Sequence, residues 1–182
     1  MLLHGLNKYF IKSAWGKTFL VTLVFLVASS ALFWLDYFRA YQTEVSVLFV
    51  TKSEQPAPVV ADAMGSIMQT LTFAQRADEN MEDGALLPET DSKDVQKLDW
   101  NTNLSVATKS ESGVLVFAQR ATTEKESLDK ARATLKTLMV ATTIYYDQDH
   151  QVELRIIDKP ITKLVIASWW KYILTVVASA VV

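Results

Sequence analysis

Two long apolar segments lie at the two ends of the chain and enclose a mixed polar region. The first, Thr18 to Leu35, contains 18 residues without a charge. At about 1.5 Å per residue, a helix of this length reaches about 27 Å, which is close to the hydrocarbon thickness of a bilayer. The second, Leu164 to Val182, carries a single charge, that of Lys171. The pattern predicts transmembrane helices over 18–35 and 164–182.

The region between these segments begins with a change of periodicity. Residues 41–50 alternate at every second position, with β-branched and aromatic side chains on one face, which predicts a strand. Apolar side chains then recur at helical spacing from Val60 to Ala77, which predicts one amphipathic helix. Residues 78–91 are acidic and contain glycine and proline, so we expect a flexible loop there.

A short helix and a hairpin are predicted next. Residues 92–99 are compatible with a helix that turns Val95 and Leu98 toward the core. Residues 104–109 and 114–120 are rich in β-branched side chains and are separated by a short polar turn. This spacing predicts a β-hairpin.

A second amphipathic helix follows the hairpin. Thr123 and Glu126 have the spacing of a capping box, and the helix is expected to end near Asp147. Its predicted core-facing stripe is Leu128, Ala131, Leu135, Leu138 and Tyr145. The stripe also fits a coiled coil, but the predicted sheet needs a cover, which favours core packing. Residues 151–158 alternate again and predict a last strand, which Pro160 ends.

The order strand, helix, strand, strand, helix, strand is typical of one α+β architecture. It is the order of the ferredoxin-like fold (βαββαβ), in which two helices cover one face of a four-stranded antiparallel sheet. We expect the first and last strands to lie side by side in the middle of the sheet and residues 104–109 to form an edge. The two ends of the domain would then emerge near each other, which suits two flanking membrane helices.

Charge predicts the orientation of the chain. Residues 1–17 carry three lysines and no acidic residue, whereas residues 36–163 carry 14 basic and 20 acidic side chains, a net charge of −6. By the positive-inside rule, residues 1–17 are cytoplasmic and residues 36–163 form an extracytoplasmic domain. A cleaved signal peptide is the alternative for the first segment. Its length and the lack of a small-residue cleavage site after it favour an uncleaved anchor.

Composition gives little support to catalysis or metal binding. The chain has no cysteine and only two histidines, which excludes a disulfide framework and a thiol nucleophile. Asp147, Asp149 and His150 could form a metal or acid–base cluster, but a solvated turn is the favoured interpretation. The acidic run 78–83 lacks the spacing of a calcium loop, and no phosphate-binding loop motif is present. We predict no enzyme activity and no cofactor.

The arrangement of segments resembles the Wzz-type chain-length determinants, also called polysaccharide co-polymerases. The resemblance covers nearly the whole chain: a short basic N-terminus, a first span, the strand YQTEVSVLFV, the segment SGVLVFAQR, the helix ATTEKESLDKARATLKTLMVATTIYY and the strand QVELRIIDKP before a second span. The chain departs from the family in having only Pro160 near the second span. Residues 78–103 are also too few for the long helical arm of larger members. The resemblance therefore implies a small member without a kinase domain.

Aromatic residues mark the expected membrane interfaces. These are Trp34 and Tyr37 after the first segment, and Trp169 and Trp170 together with Lys171 and Tyr172 in the second. In such a belt Lys171 reaches the lipid headgroups at little cost. Only residues 173–182, about 15 Å of helix, would then lie in hydrocarbon, so we expect the span to continue beyond Val182. The alternative places Lys171 near mid-membrane, where a charge costs about 2.5–3.5 kcal/mol and needs a functional partner.

The resemblance implies a function without chemistry. We expect a two-pass protein of the bacterial inner (plasma) membrane that forms a homo-oligomer and sets the chain length of a surface polysaccharide. The expected partners are other copies of the chain, membrane lipids, and a polysaccharide polymerase or the growing glycan. A separate cytoplasmic tyrosine kinase is a further partner in some members, and no nucleic acid is expected. The alternative is a two-span sensory or adaptor protein whose extracytoplasmic domain binds a ligand.

Overall fold

The computed structural model describes residues 14–52, 55–109, 111–146 and 152–181. The helices are α1 (Ala14–Tyr37), α2 (Ala57–Met68), α3 (Leu71–Glu79), α4 (Lys93–Asn103), α5 (Glu124–Tyr146) and α6 (Trp169–Val181). The strands are β1 (Arg39–Thr51), β2 (Leu104–Lys109), β3 (Val114–Ala121), β4 (Val152–Ile156) and β5 (Ile161–Ile166). The chain divides into two compact units: one contains the segments up to Arg39 and from Ile166 onward, and the other is Ala40–Val165.

The predicted α+β class is confirmed, because helices and one antiparallel sheet form the domain. The sheet order is β2-β3-β1-β4, and β5 also pairs with β1. Residues 104–109 form an edge strand, as predicted. The expectation that the first and last strands both lie in the middle is wrong, since β1 and β3 are central and β4 is an edge.

The last predicted strand, over 151–158, corresponds to β4, and a further strand that was not predicted follows it. Pro160 does not end the sheet but lies between β4 and β5, and β5 extends the pairing along β1. The alternating, β-branched run Ile161–Ile166 explains this strand. Leu164, the predicted start of the second membrane segment, therefore lies in a strand, and helix α6 begins only at Trp169.

The core lies between the sheet and the helices, on the face that the alternation predicted. Thr43, Val45, Val47 and Phe49 of β1 are buried there. The predicted single helix over 60–77 is two helices, because α2 ends at Met68 with Gln69 as its C-cap and Thr70 caps α3: its Oγ1 accepts a hydrogen bond from Phe73 N at 3.3 Å.

Helix α4 buries a different side from the predicted one. Val95 and Leu98 are 49% and 70% exposed, so their predicted inward orientation is wrong. Trp100 is buried instead, and its Nε1 donates to Met68 O at 2.7 Å. One large aromatic side chain with a satisfied indole N–H anchors the helix better than the two aliphatic ones.

Helix α5 has a more polar buried face than its apolar stripe predicted. Tyr145 is 54% exposed, so the predicted stripe is wrong there, whereas Ala131 and Leu138 are buried and Leu135 is partly buried and packs against the core. The buried side chains of this helix are Ser127, Lys130, Ala131, Ala133, Thr134, Thr137, Leu138, Ala141 and Thr142. Several of these hydroxyls donate to carbonyls one turn earlier, which satisfies them inside the core.

The capping box of α5 is half formed. Thr123 Oγ1 accepts from Glu126 N at 3.2 Å, as the spacing predicts. The carboxylate of Glu126 accepts from Thr122 Oγ1 at 2.9 Å and pairs with Lys130 at 2.8 Å. The side chain of Glu126 therefore binds Lys130, one turn later in the helix, and Thr122, the residue before the N-cap.

Helix α1 has the length and composition of a membrane span. Lys17–Tyr37 is a 21-residue helical stretch that contains an 18-residue window with a mean hydropathy of 2.2. Within the described ranges it is the only helix that meets both criteria, since α6 has 13 residues there. A membrane location is therefore supported by one helix.

Candidate functional site

Four of the six predicted interface residues, Trp34, Tyr37, Trp169 and Tyr172, come together with Phe38 in one aromatic cluster at the end of α1 and the beginning of α6. Trp34 and Tyr37 meet edge to face with ring centroids 5.6 Å apart. Phe38 lies 6.1 Å from Tyr172, and Trp169 lies 6.0 Å from the same ring. Edge-to-face pairs of this kind add to the stability of apolar burial.

Hydrogen bonds join the two helices within this unit. Tyr172 Oη donates to Ala31 O at 3.0 Å, and Ala167 N donates to Phe38 O at 2.9 Å. The hydroxyls of Ser30 and Ser179 also contact each other. Polar bonds between otherwise apolar helices are typical of contacts made inside a bilayer, where lipid offers no hydrogen-bonding partner.

Two members of the predicted belt lie outside these ring contacts. Trp170 is 69% exposed and Lys171 is exposed, whereas Tyr172 is half-buried. Trp169 takes part in the cluster but is still 62% exposed. An exposed pair of indole rings beside a lysine is suited to a headgroup region, where both apolar and polar partners are present. The position of Lys171 relative to the bilayer stays a prediction.

A polar groove of about 380 Å³ lies in the other unit, between α5 and the loop after α3. Its lining is Asn80, Glu82, Asp83, Lys125, Asp129, Arg132, Ala133 and Lys136. Three carboxylates face three cations, and Lys125 Nζ lies 3.1 Å from Asp83. The hydrogen bond that Lys125 donates to this carboxylate, and then the negative charge of Asp83, raise the pKa of Lys125. The groove presents hydrogen-bond donors and acceptors of both charges together with apolar surface.

The loop beside this groove is more ordered than its composition predicted. Asp78 Oδ1 accepts from Leu86 N and, at 3.1 Å, from Leu87 N. Both leucine side chains are buried. Asn80 Nδ2 donates to Thr137 Oγ1 at 2.9 Å and thereby ties the loop to α5. The prediction of a flexible loop misses this anchoring, because isolated leucines in an acidic segment give no periodic signal.

Glu126 of the capping region has a lowered pKa. Burial raises the pKa of this carboxyl group, but hydrogen bonds from Lys130 and Thr122 and the positive charge of Lys130 outweigh burial. Lys130 itself is only 9% exposed. The pair is therefore a partly buried ion pair within α5.

Metal-binding groups are not assembled in the described ranges: no three or more histidine, aspartate or glutamate side chains converge there. The sequence cluster Asp147, Asp149 and His150 lies outside the described residues. Comparison with known proteins adds no relative, since no family model matches the chain and no curated protein matches its sequence.

Proposed function

We propose that this chain is a membrane scaffold of the chain-length determinant type. It would act as an oligomer, regulate the length and export of a surface polysaccharide, and contribute no chemistry of its own. The observation that carries the proposal is the position of the domain between two apolar helices that pack together. A domain tethered in this way at both ends is confined to a plane, where weak lateral contacts are sufficient for assembly.

The fold supports the same proposal. The sheet order β2-β3-β1-β4 is that of the ferredoxin-like arrangement, to which the chain adds β5. One residue, Phe38, separates α1 from β1, and two residues separate β5 from α6. The base domain would therefore begin and end at the membrane surface without linkers, with α6 as the second anchor and the aromatic cluster at the outer interface.

The groove beside α5 would supply weak contacts to the glycan. Its carboxylates, amide and cations offer both acceptors and donors, as a polyhydroxylated chain requires. Weak sites repeated around an oligomer combine through multivalency, so no single side chain needs to bind tightly.

Thiol labelling in intact cells tests the proposed topology. The native chain has no cysteine, so single cysteines introduced at positions 8 and 83 are unique targets. A membrane-impermeant reagent should label position 83, which is exposed, and should leave position 8 unlabelled until the cells are permeabilised. Labelling of position 8 in intact cells, without labelling of position 83, would overturn the orientation.

Deletion of the gene tests the function. Polysaccharide synthesis should continue, while the gel ladder of surface polysaccharide should broaden or shift in length. Leu135→Asp should reproduce the deletion, because an unpaired charge forced against the core costs several kcal/mol. Asp149→Ala and His150→Ala should leave the ladder unchanged. A deletion strain with an unaltered ladder would reject the proposal.

The groove also favours one alternative, a sensory or adaptor protein. A preformed polar pocket of about 380 Å³ is large enough for a small ligand. A sensor would leave the polysaccharide ladder intact when deleted and would lose its response in Lys136→Ala. The deletion ladder therefore separates the two functions directly.

A further inference from the structure

Among the described residues, both edges of the sheet carry backbone hydrogen-bonding groups that pair with no other strand. In β4, Ile157 N, just past the strand, donates to Ser46 O at 2.9 Å. Because these groups alternate along a strand, Arg155 and Glu153 also turn theirs toward β1. Leu154 and Ile156 turn their N–H and C=O groups away from the sheet. No described strand pairs with that side of β4.

The opposite edge, β2, has the same property. Phe49 N donates to Gly113 O at 3.0 Å, which fixes the alternation along β3. By this alternation Lys109 and Ala107 face β3, and Val106 and Thr108 turn their backbone groups outward. An unpaired edge of this kind is a template for another strand.

Strand direction selects which two edges of different copies meet. Three antiparallel steps separate β2 from β4, so the two edge strands run in opposite directions. Pairing β2 of one copy with β4 of the next is therefore antiparallel while both copies keep the same orientation. Pairing β4 with β4 in an antiparallel sheet would turn one copy over. Copies anchored in one membrane share one orientation, which favours the first arrangement.

Charge favours one register, in which Lys109 joins Glu153, whose carboxylate also pairs with Arg155 of its own strand at 2.9 Å. The register of the sheet places Lys109 and Glu153 on the same face, the one opposite the buried side chains of β1. With Lys109 opposite Glu153 of the next copy, the outward groups of Thr108 and Val106 meet those of Leu154 and Ile156. A shift of two residues places Lys109 opposite Arg155, and like charges at such positions are destabilising.

The helical layer beside each edge exposes apolar side chains. Helix α4 leads directly into β2 and exposes Val95 and Leu98, and α5, which packs beside β4, exposes Met139 and Ile144. Paired exposed surfaces of this kind mark interaction sites. Val95 and Leu98 of α4, which the apolar pattern turns toward the core, are exposed instead and remain available to a neighbouring copy.

We propose that copies of this chain assemble by sheet extension, with β2 of one copy paired antiparallel to β4 of the next in the register that sets Lys109 opposite Glu153. The contact uses two different surfaces, so it repeats from copy to copy and forms a ring where the rotation between copies closes. The biological role of this contact rests on the proposed scaffold function. The geometry of the contact can be tested separately from that function.

Cysteine crosslinking of the full-length protein in native membranes tests the pairing. Facing residues whose backbone groups point away from each other have Cα atoms about 4.5 Å apart, within the range that a disulfide spans. After mild oxidation, the double variant Lys109→Cys/Glu153→Cys should give a ladder of dimers, trimers and larger species on a non-reducing gel. Each single variant should stay monomeric.

A matched control keeps the same face and strand. Ser105→Cys/Glu153→Cys moves one cysteine four residues along β2, about 13 Å from its former place, and should give no ladder. Equal ladders from both double variants would indicate random collision and overturn the pairing, as would dimers from either single variant. Absence of a ladder from Lys109→Cys/Glu153→Cys would overturn it too.

Charge exchange provides a second measurement. Lys109→Glu and Glu153→Lys should each reduce the oligomer mass measured by light scattering in mild detergent, and the double exchange should restore it. A double exchange no better than the singles would reject the register. Failed crosslinking together with an altered deletion ladder would reject sheet extension and leave the scaffold function standing. Successful crosslinking with an unaltered deletion ladder would support sheet extension and reject the scaffold function.

Discussion

The buried hydroxyls of α5 permit a sharp test of how this core is stabilised. Thr134 Oγ1 accepts from Gln119 Nε2 at 2.9 Å, and both side chains are fully buried. Gln119 Oε1 already has no hydrogen-bond partner. Thr134→Val would leave Nε2 unsatisfied as well. A buried donor without an acceptor costs about 1–3 kcal/mol, and we expect a loss of stability in that range.

Thr142→Val is the matched control. Thr142 is buried on the same helix, but its Oγ1 donates only to Leu138 O, at 2.8 Å, within the helix. The substitution removes this bond and leaves no buried group of another element unpaired. We expect it to change the free energy of unfolding by less than about 0.5 kcal/mol.

Guanidinium unfolding of the full-length protein in mild detergent, followed by circular dichroism, measures both variants. Adding Gln119→Leu to Thr134→Val should recover part of the lost stability, because both partners are then apolar. Equal effects of the two valine substitutions would refute the reasoning, as would full additivity in the double variant.

Two further predictions concern a turn and an ion pair. Gly84 and Gly113 both have positive φ, but only at Gly113 would an added Cβ approach Ala57 Cβ to 2.6 Å. Gly84→Ala should cost about 1 kcal/mol and Gly113→Ala about 1–3 kcal/mol more in the same unfolding assay; equal costs would contradict the close approach. Glu126, paired with Lys130, has a lowered pKa, so its stabilisation is present above the unfolded-state pKa and disappears as pH falls through the folded-state value. The stability difference between wild type and Glu126→Gln should shrink on acidification, and a pH-independent difference would contradict the pairing.

The parts of the fold that sequence predicts are those with strict periodicity. The alternation in residues 41–50 identified the buried face of β1, and residues 104–109 were placed correctly at an edge. Side-chain periodicity does not determine which strands are central, because pairing depends on contacts between distant segments. Periodicity alone therefore puts the last strand in the middle and treats Pro160 as its end, and the pairing of β4 and β5 along β1 overturns both.

The predictions that are wrong concern which face of a helix is buried, and that face is determined by single contacts. Trp100 reorients α4 through one indole hydrogen bond, and the threonines of α5 are buried because their hydroxyls bond within the helix. Neither effect appears in an apolar pattern. The aromatic cluster was predictable, since Trp34 and Trp169 border apolar segments, whereas the groove joins residues far apart in sequence.

The short junctions of the chain determine where it tolerates added residues. Phe38 alone separates α1 from β1, and Ala167 and Ser168 alone separate β5 from α6. These junctions are too short to absorb an inserted residue. An insertion would therefore shift β1 or β5 by one position and exchange the inner and outer faces of that strand. Residues 80–92, between α3 and α4, form the longest irregular connection within the described part of the domain. During evolution the protein can therefore gain length at that loop, while the spacing at both helix–strand junctions stays fixed.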